Sequence, residues 1–466
     1  MILEQIYLAC LSQASYLIVD ERTKTAVVVD PRRDVGVYLE RARQLGATIR
    51  HVLLTHFHAD FLAGHIELRE KTGATIHLGA RGKADYPVQA MRDGGALEFG
   101  DVRLEFLETP GHTPESVSIV VYDLAADREK PKAVLTGDTL FIGDVGRPDL
   151  MVAAGMKAED LAATLYDSLH GKLLKLPDET LVYPGHGAGS ACGKSLSSET
   201  VSTLGAQKKQ NYALAPMEKR AFVRLITADQ PEAPAYFSYD AHLNRAERPT
   251  LEHVLERSLQ PLPLDEVVRL MNAGAQALDT RDADSFAAMH LAGSAHVGLT
   301  GKYASWVGAL LDPKKPFVLI CEPGKEEESA MRLGRIGFDQ IAGFLEGGMQ
   351  SAAKQPALVV RRARLTRERL AQELAGASAP QVVDVRTPSE WQAGHIETAL
   401  HVPLNDLQQR FAQIPKGRSL VVVCKSGYRS SIAASLLERA GFGPVTDLIG
   451  GMDAWEKGSP VGAGRG

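Results

Sequence analysis

The segment "THFHADFLAGH", Thr55 to His65, places three histidines and one aspartate within eleven residues, directly behind the strand-like run "RHVLL" (50–54). An apolar run that stops at a polar cluster reads as a buried strand handing its side chains to the loop at its end. A His-x-His pair on such a turn sends both imidazoles toward one cavity, and neutral imidazole is the commonest protein ligand for zinc and iron. Later runs end the same way: "TPGHTPES" carries His112, "LTGDTLF" carries Asp138 and "VYPGHG" carries His186. A histidine or aspartate at four successive strand ends points to one metal site built by converging loops.

Around that cluster, residues 1 to about 210 alternate β-rich runs ("TAVVVD", "HVLLTH", "VRLEFLETP", "VSIVVYD", "KAVLTGD", "TLVYPGH") with helical stretches such as "DVGVYLERARQLG". Glycine and proline punctuate the junctions, so the fold class is α/β. With 466 residues the chain exceeds what one hydrophobic core organises, and ~100–200 residues per domain predicts two to four domains. A composition of 44% hydrophobic and 23% charged residues with a formal net charge of −5 gives no reason to expect a nucleic acid or an anionic membrane as partner. The opening "MILEQIYLACLSQASYLIVD" lacks a basic leader and is broken by Glu4, Gln5, Ser12 and Gln13, so it reads as two strands and not as a signal peptide or membrane span. Cys10, Cys192, Cys321 and Cys424 are scattered without paired spacing, which predicts reduced thiols and a cytoplasmic protein.

Residues 211–260 are helical and then irregular, with five prolines between 231 and 263 marking a connector. Beyond it the sequence repeats. "ALDTRDADSFAAMHLAGSAHVGL" (277–299) aligns with "VVDVRTPSEWQAGHIETALHVPL" (382–404), and "FVLICEPG" aligns with "LVVVCKSG", about 105 residues apart. Each copy runs strand, helix, strand, loop, helix, strand, the order of a small parallel sheet with helices on both faces. The expected organisation is a metal-binding domain over 1–245, a linker over 246–260, and two copies of one domain over 261–356 and 357–466.

The strand-end cluster resembles the metallo-β-lactamase superfamily, which implies an αββα sandwich. That superfamily's first motif is His-x-His-x-Asp-His, and here it reads His56-Phe57-His58-Ala59-Asp60-Phe61. Phe61 stands where the second metal of a binuclear site takes a histidine, and its ring has no lone pair to give. His65 is the nearest substitute, one helical turn on. The resemblance to the mononuclear iron members, the persulfide dioxygenases, implies His56, His112 and Asp138 as ligands of one Fe(II) per chain. Two histidines and a carboxylate leave three cis positions open. His58, Asp60 and His186 then orient those ligands or bind water. "GDVGRPDL" adds Arg147 as a clamp for a substrate carboxylate, or as half of an Arg147–Asp149 pair bracing its loop, and Tyr183 is a further substrate candidate. The competing expectation is a binuclear zinc thioesterase of the glyoxalase II kind.

In the second repeat, "VVVCKSGYRSS" puts Cys424 after a strand and before a helix, where loop amides and a helix N-terminus favour thiolate. Arg429 adds positive charge. With "VVDVRTPSEWQAGHI" and "GGMDAWEKGS", this copy resembles a rhodanese domain, which implies Cys424 and Arg429 as catalytic and Lys425, Ser426, Gly427 and Tyr428 as the cradle for sulfur. The first copy keeps Cys321 but has Glu326, Glu327 and Glu328 where the arginine and the helix start belong, so it reads as degenerate. Together the resemblances imply oxidation of glutathione persulfide, or a similar small persulfide, by O2 to sulfite and glutathione, coupled to sulfur transfer from thiosulfate. The sequence leaves oligomeric state open, a homo-oligomer included.

Overall fold

The computed structural model describes residues 1–152, 155–228, 230 and 233–457. They form two compact units, Met1–Val254 with Leu333–Phe338, and Leu255–Arg332 with the residues from Asp339 onward. Among the described residues no helix is long and apolar enough to cross a membrane.

The first unit holds two six-stranded sheets. One runs in chain order through β1 (Ile2–Leu8), β2 (Gln13–Val19), β3 (Thr25–Val29), β4 (Thr48–Leu54), β5 (Thr75–Gly79) and β6 (Gln89–Met91). The other lines up β12 (Ser202–Thr203), β11 (Leu181–Pro184), β10 (Ala133–Gly137), β9 (Val117–Asp123), β8 (Val102–Glu108) and β7 (Ala96–Phe99). Strand periodicity explains the layering. Ala14, Tyr16 and Ile18, Val102, Leu104 and Phe106, and Val117, Ile119 and Val121 share one core between the sheets. The opposite parity, Leu17, Val19, Ala26 and Val28, packs on Tyr38 and Ala42 of helix Gly36–Gln44. On the far side Val120, Val134 and Val182 pack on Leu165 and Leu169 of helix Ala158–Gly171. Strands apolar on both faces therefore require four layers, helix–sheet–sheet–helix.

This arrangement brings strand ends together. The ends of β3, β4, β10 and β11 carry Asp30, Thr55–His58, Asp138 and His186, and β8 leads to His112. Gly137 permits the closest approach: at φ +48° it faces Thr55, and a Cβ would lie 2.5 Å from the Thr55 hydroxyl. Residues 246–254, expected as linker, pack inside the first unit, where the Arg248 guanidinium bonds buried Glu67 at 2.7 Å.

In the second unit two five-stranded parallel sheets have the same strand order. The first is Pro261–Leu262, Ile341–Leu345, Phe317–Ile320, Gln276–Asp279, Ala295–His296; the second is Arg364–Leu365, Val445–Leu448, Leu420–Val423, Gln381–Asp384, Leu400–His401. The repeat extends to side chains. Arg281 closes on Asp279 and the Met289 carbonyl, and Arg386 closes on Asp384 and the Gly394 carbonyl. The two copies also touch. The helix Tyr428–Arg439 lies on strand Ala295–His296, with the Ser435 hydroxyl accepting from the His296 N–H at 3.0 Å and Ser431 Oγ 3.0 Å from His296 Nδ1.

Candidate metal centre and thiol loop

His56, His112 and Asp138 are buried and bring one donor atom each within 4.8 Å of one another. The carboxylate is central: Asp138 Oδ2 lies 3.8 Å from His56 Nε2, 3.5 Å from His112 Nε2 and 3.6 Å from His186 Nε2. In each histidine the other ring nitrogen is occupied. His112 Nδ1 meets the Arg147 carbonyl at 2.9 Å, and His186 Nδ1 meets the Ser12 carbonyl at 3.2 Å. A carbonyl only accepts, so both Nδ1 atoms carry the proton and both Nε2 lone pairs face Asp138.

His56 Nδ1 lies 3.0 Å from Thr55 Oγ1, which donates to Asp30 Oδ2 at 2.8 Å while the Thr55 N–H donates to Asp30 Oδ1 at 2.8 Å. The hydroxyl's single proton is spent on Asp30, so Thr55 accepts from His56 and again leaves Nε2 as the free lone pair. Burial, then the neighbouring histidines, hold the His56 pKa well below its ordinary value, and burial also lowers that of His112. Neutral imidazoles suit ligation. Both Asp138 oxygens and His186 Nε2 are buried with no hydrogen-bond partner. Buried acceptors left unmet are costly, and a divalent cation at their focus would satisfy them together. The residues present fit a metal ion.

His58, Asp60 and His186 form a second group of donors within 4.8 Å, with Asp60 Oδ2 3.5 Å from His186 Nε2. His58 Nε2 lies 3.1 Å from Asp30 Oδ1; burial disfavours its charge, but Asp30 leads the carboxylates that raise its pKa. Burial raises the Asp60 pKa. The Phe61 ring is 4.3 Å from the His58 ring and 6.4 Å from that of His186, filling the space beside this group. His65 joins neither group and packs against Tyr86, with ring centroids 4.9 Å apart.

Arg147 is buried and bonded to Asp149 through two nitrogens, at 2.7 and 2.8 Å, and to the Ala191 carbonyl at 3.1 Å. Tyr183 is half-buried, edge-on to Tyr16 at 5.6 Å. Beside the metal loop lies a cavity of ≈ 410 Å³ whose walls include Phe57, Thr113, Met151, Phe237 and Arg245. Sequence reasoning missed three contributors. Asp30 closes an apolar strand as Asp138 does, a signal present in "TAVVVD". Cys192 groups with Asp138 and His186 within 4.8 Å, its thiol pKa raised by burial first. Its only sequence cue is its place in the Gly/Ser-rich loop after His186. Asn244 donates to the carbonyls of His58 and Phe61, each at 2.8 Å, and accepts from the Ala63 N–H at 2.9 Å, clamping the metal loop from a segment that reads as connector.

In the second unit the Gly427 N–H donates to Cys424 Sγ at 3.1 Å, at the start of helix Tyr428–Arg439. Lys425 and Ser426 are exposed beside it, and the main-chain carbonyls of Cys424 and Lys425 are held by the N–H groups of Met452 and Asp453 at 2.7 and 2.9 Å. Arg429 pairs with Glu390 at 2.7 and 2.8 Å, and the Tyr428 hydroxyl donates to the Gly298 carbonyl of the first copy at 2.8 Å. Cys321 differs: burial first, with Glu326 and Asp279 adding, pushes its thiol up to about 11.

A sandwich whose strand ends gather three histidines around an aspartate, able to hold a metal ion, is followed by two copies of a parallel sheet, the second with its cysteine in a loop at a helix N-terminus. Residues 8–186 match the family described as the metallo-beta-lactamase superfamily, and residues 263–355 and 366–458 each match the rhodanese-like domain. The chain belongs to the metallo-beta-lactamase superfamily and carries tandem rhodanese-like domains in its C-terminal part. It is 32% identical over 180 residues to the mitochondrial persulfide dioxygenase ETHE1 of Bos taurus, covering 37% of this chain and 63% of that protein, just under two thirds of its length. It is 35% identical over 196 residues to the probable metallo-hydrolase YqgX of Bacillus subtilis (strain 168), covering 38% of this chain and 85% of that one. Among solved structures, a metallo-beta-lactamase from Staphylococcus aureus subsp. aureus COL is 30% identical with a TM-score of 0.66, covering 74% of this chain and 98% of that one.

Proposed function

We propose that the first unit is a mononuclear iron dioxygenase for a low-molecular-weight persulfide such as glutathione persulfide, and that Cys424 transfers sulfane sulfur. The observation that carries this reading is the buried triad His56, His112 and Asp138 beside a second donor group whose neighbouring space holds the Phe61 ring. His56, His112 and Asp138 would hold Fe(II), which would supply redox chemistry with O2. The chain's own part is to keep Nε2 unprotonated on each histidine through Thr55 and the Arg147 carbonyl, and to exclude bulk water by burial. At the other site, the Cys424 thiolate bonds to the outer sulfur of thiosulfate as the S–S bond breaks, and sulfite leaves with the bonding pair. The loop amide at Gly427 and the helix N-terminus stabilise the resulting Cys424 persulfide anion. A thiol acceptor then takes the outer sulfur as a small-molecule persulfide, the substrate of the first site.

Anaerobic purification with metal quantification, followed by oxygen uptake on glutathione persulfide, tests the reading. About one iron per chain and sulfite formation are expected. Two zinc ions per chain with thioester hydrolysis would replace it by the binuclear hydrolase reading, which the second donor group His58, Asp60 and His186 favours.

A further inference from the structure

The cavity beside the metal loop has mostly apolar walls, including Phe57, Ala59, Met151 and Phe237, yet an arginine, a histidine and an acid also line it. The acid, Asp149, is claimed on both oxygens by Arg147. His242 is exposed at the rim. That leaves Arg245, whose guanidinium sits 5.1 Å over the Phe57 ring. No carboxylate among the described residues pairs with it, and its Nε is buried without a hydrogen-bond partner. Its placement is fixed from both ends. The Arg245 carbonyl accepts from the Asp85 N–H at 2.8 Å, and the Phe57 N–H donates to Glu115 Oε1 at 3.1 Å, pinning the ring beneath the cation.

A planar fork of donors held on an aromatic face, in a cavity of low polarity, is matched by one carboxylate accepting two hydrogen bonds. A dianionic phosphate would be only half neutralised by this single arginine. We propose that Arg245 receives the carboxylate of the thiol compound that enters this cavity, and so selects for carboxylate-bearing persulfides. The substrate class rests on the persulfide reading above; the Arg245 contact is tested by binding alone.

Calorimetric titration of the full chain with glutathione and with glutathione diethyl ester, on wild type, Arg245→Met and Arg245→Lys, separates the outcomes. Arg245→Met should weaken glutathione binding by about tenfold to a hundredfold, the scale of a charge-assisted pair, and leave ester binding unchanged. Arg245→Lys should restore part of the loss and, because it keeps the cation over Phe57, controls for folding. In oxygen uptake the loss should fall on KM for glutathione persulfide, with kcat within about twofold. Equal loss for both ligands, no loss, or a wild type that binds no glutathione would overturn the assignment. Arg245-dependent glutathione binding by a chain that takes up no oxygen with any persulfide would leave this site standing and remove the dioxygenase reading instead.

Discussion

The relay from Asp30 through Thr55 to His56 makes Asp30→Asn more damaging than its size suggests. In the wild type the carboxylate takes the Thr55 N–H and the Thr55 hydroxyl proton, each at 2.8 Å. An asparagine keeps one oxygen for the N–H and turns an amide donor toward Oγ1. The Thr55 hydroxyl then points its proton at His56 Nδ1, 3.0 Å away, and the imidazole proton moves to Nε2, the atom that faces Asp138. Recovering the competent tautomer means breaking at least one buried hydrogen bond, about 1–1.5 kcal/mol, and loss of the charge beside His58 adds to it. The expected result is a ~10–100-fold drop in metal affinity, the usual range for such outer partners. A chelator-competition titration with Fe(II) or Zn(II) under anaerobic conditions measures it, with thermal unfolding of the metal-free protein reporting the stability cost separately. Thr55→Val removes the hydroxyl and cannot enforce the wrong tautomer, so it should lose less than Asp30→Asn. Wild-type affinity in Asp30→Asn, or a larger loss in Thr55→Val, would refute the relay.

Four further outcomes are expected. His112→Ala or Asp138→Ala should abolish bound iron and oxygen uptake while thiosulfate:thiol transfer stays within about twofold, because the triad and the thiol loop lie in separate compact units; parallel loss of both activities in folded protein would contradict this. Phe61→His should let the His58, Asp60 and His186 group take a second ion, read as two zinc per chain by elemental analysis in excess zinc, and a stoichiometry that stays at one would show that something else closes the space. Cys424→Ser should remove thiosulfate turnover, whereas Cys321→Ser should leave it unchanged, since a thiol held up at about 11 is almost wholly protonated at neutral pH. Arg429 leads the effects that hold the Glu390 carboxyl down at about 2 against an ordinary 4.5, so its pairing stabilises fully above 4.5 and is lost as the pH falls through about 2; the stability gap between wild type and Arg429→Met, from urea midpoints, should shrink over that window, and a pH-invariant gap would argue against the pairing.

Much of the first unit was legible because its strands are long β-branched runs that end in polar residues. "TAVVVD", "HVLLTH" and "KAVLTGD" became β3, β4 and β10, with His56 and Asp138 where the runs stop. The repeat was equally plain, since both copies carry an Asp-x-Arg turn after the same strand. Less visible were groups whose role depends on distant partners. Asn244 is 186 residues from the His58 carbonyl it holds, and a short helix among prolines gives no local sign of that bond. Cys192 reaches Asp138 only through the loop after His186, and a lone cysteine carries no spacing to read. Arg147 pairs with Asp149, one of the two arrangements that "GRPD" allows, and its burial is a property that sequence does not give.

The seat of helix Tyr428–Arg439 on the first rhodanese copy sets what each copy is free to change. If the first copy carries no thiol chemistry, it is free to hold acidic residues after its own cysteine, as Glu326–Glu328 do at the start of the following helix. Gly298 and Gly301 have no such latitude. A Cβ at Gly298 would lie 3.7 Å from the Tyr428 ring and 3.1 Å from the Arg281 carbonyl, and Gly301 holds φ +73° with that ring 3.6 Å from where its Cβ would be. A Cβ at either glycine would sit in van der Waals contact with Tyr428, four positions after Cys424, so larger side chains there are met one domain away. The first copy is thus bound by the tolerances of the second.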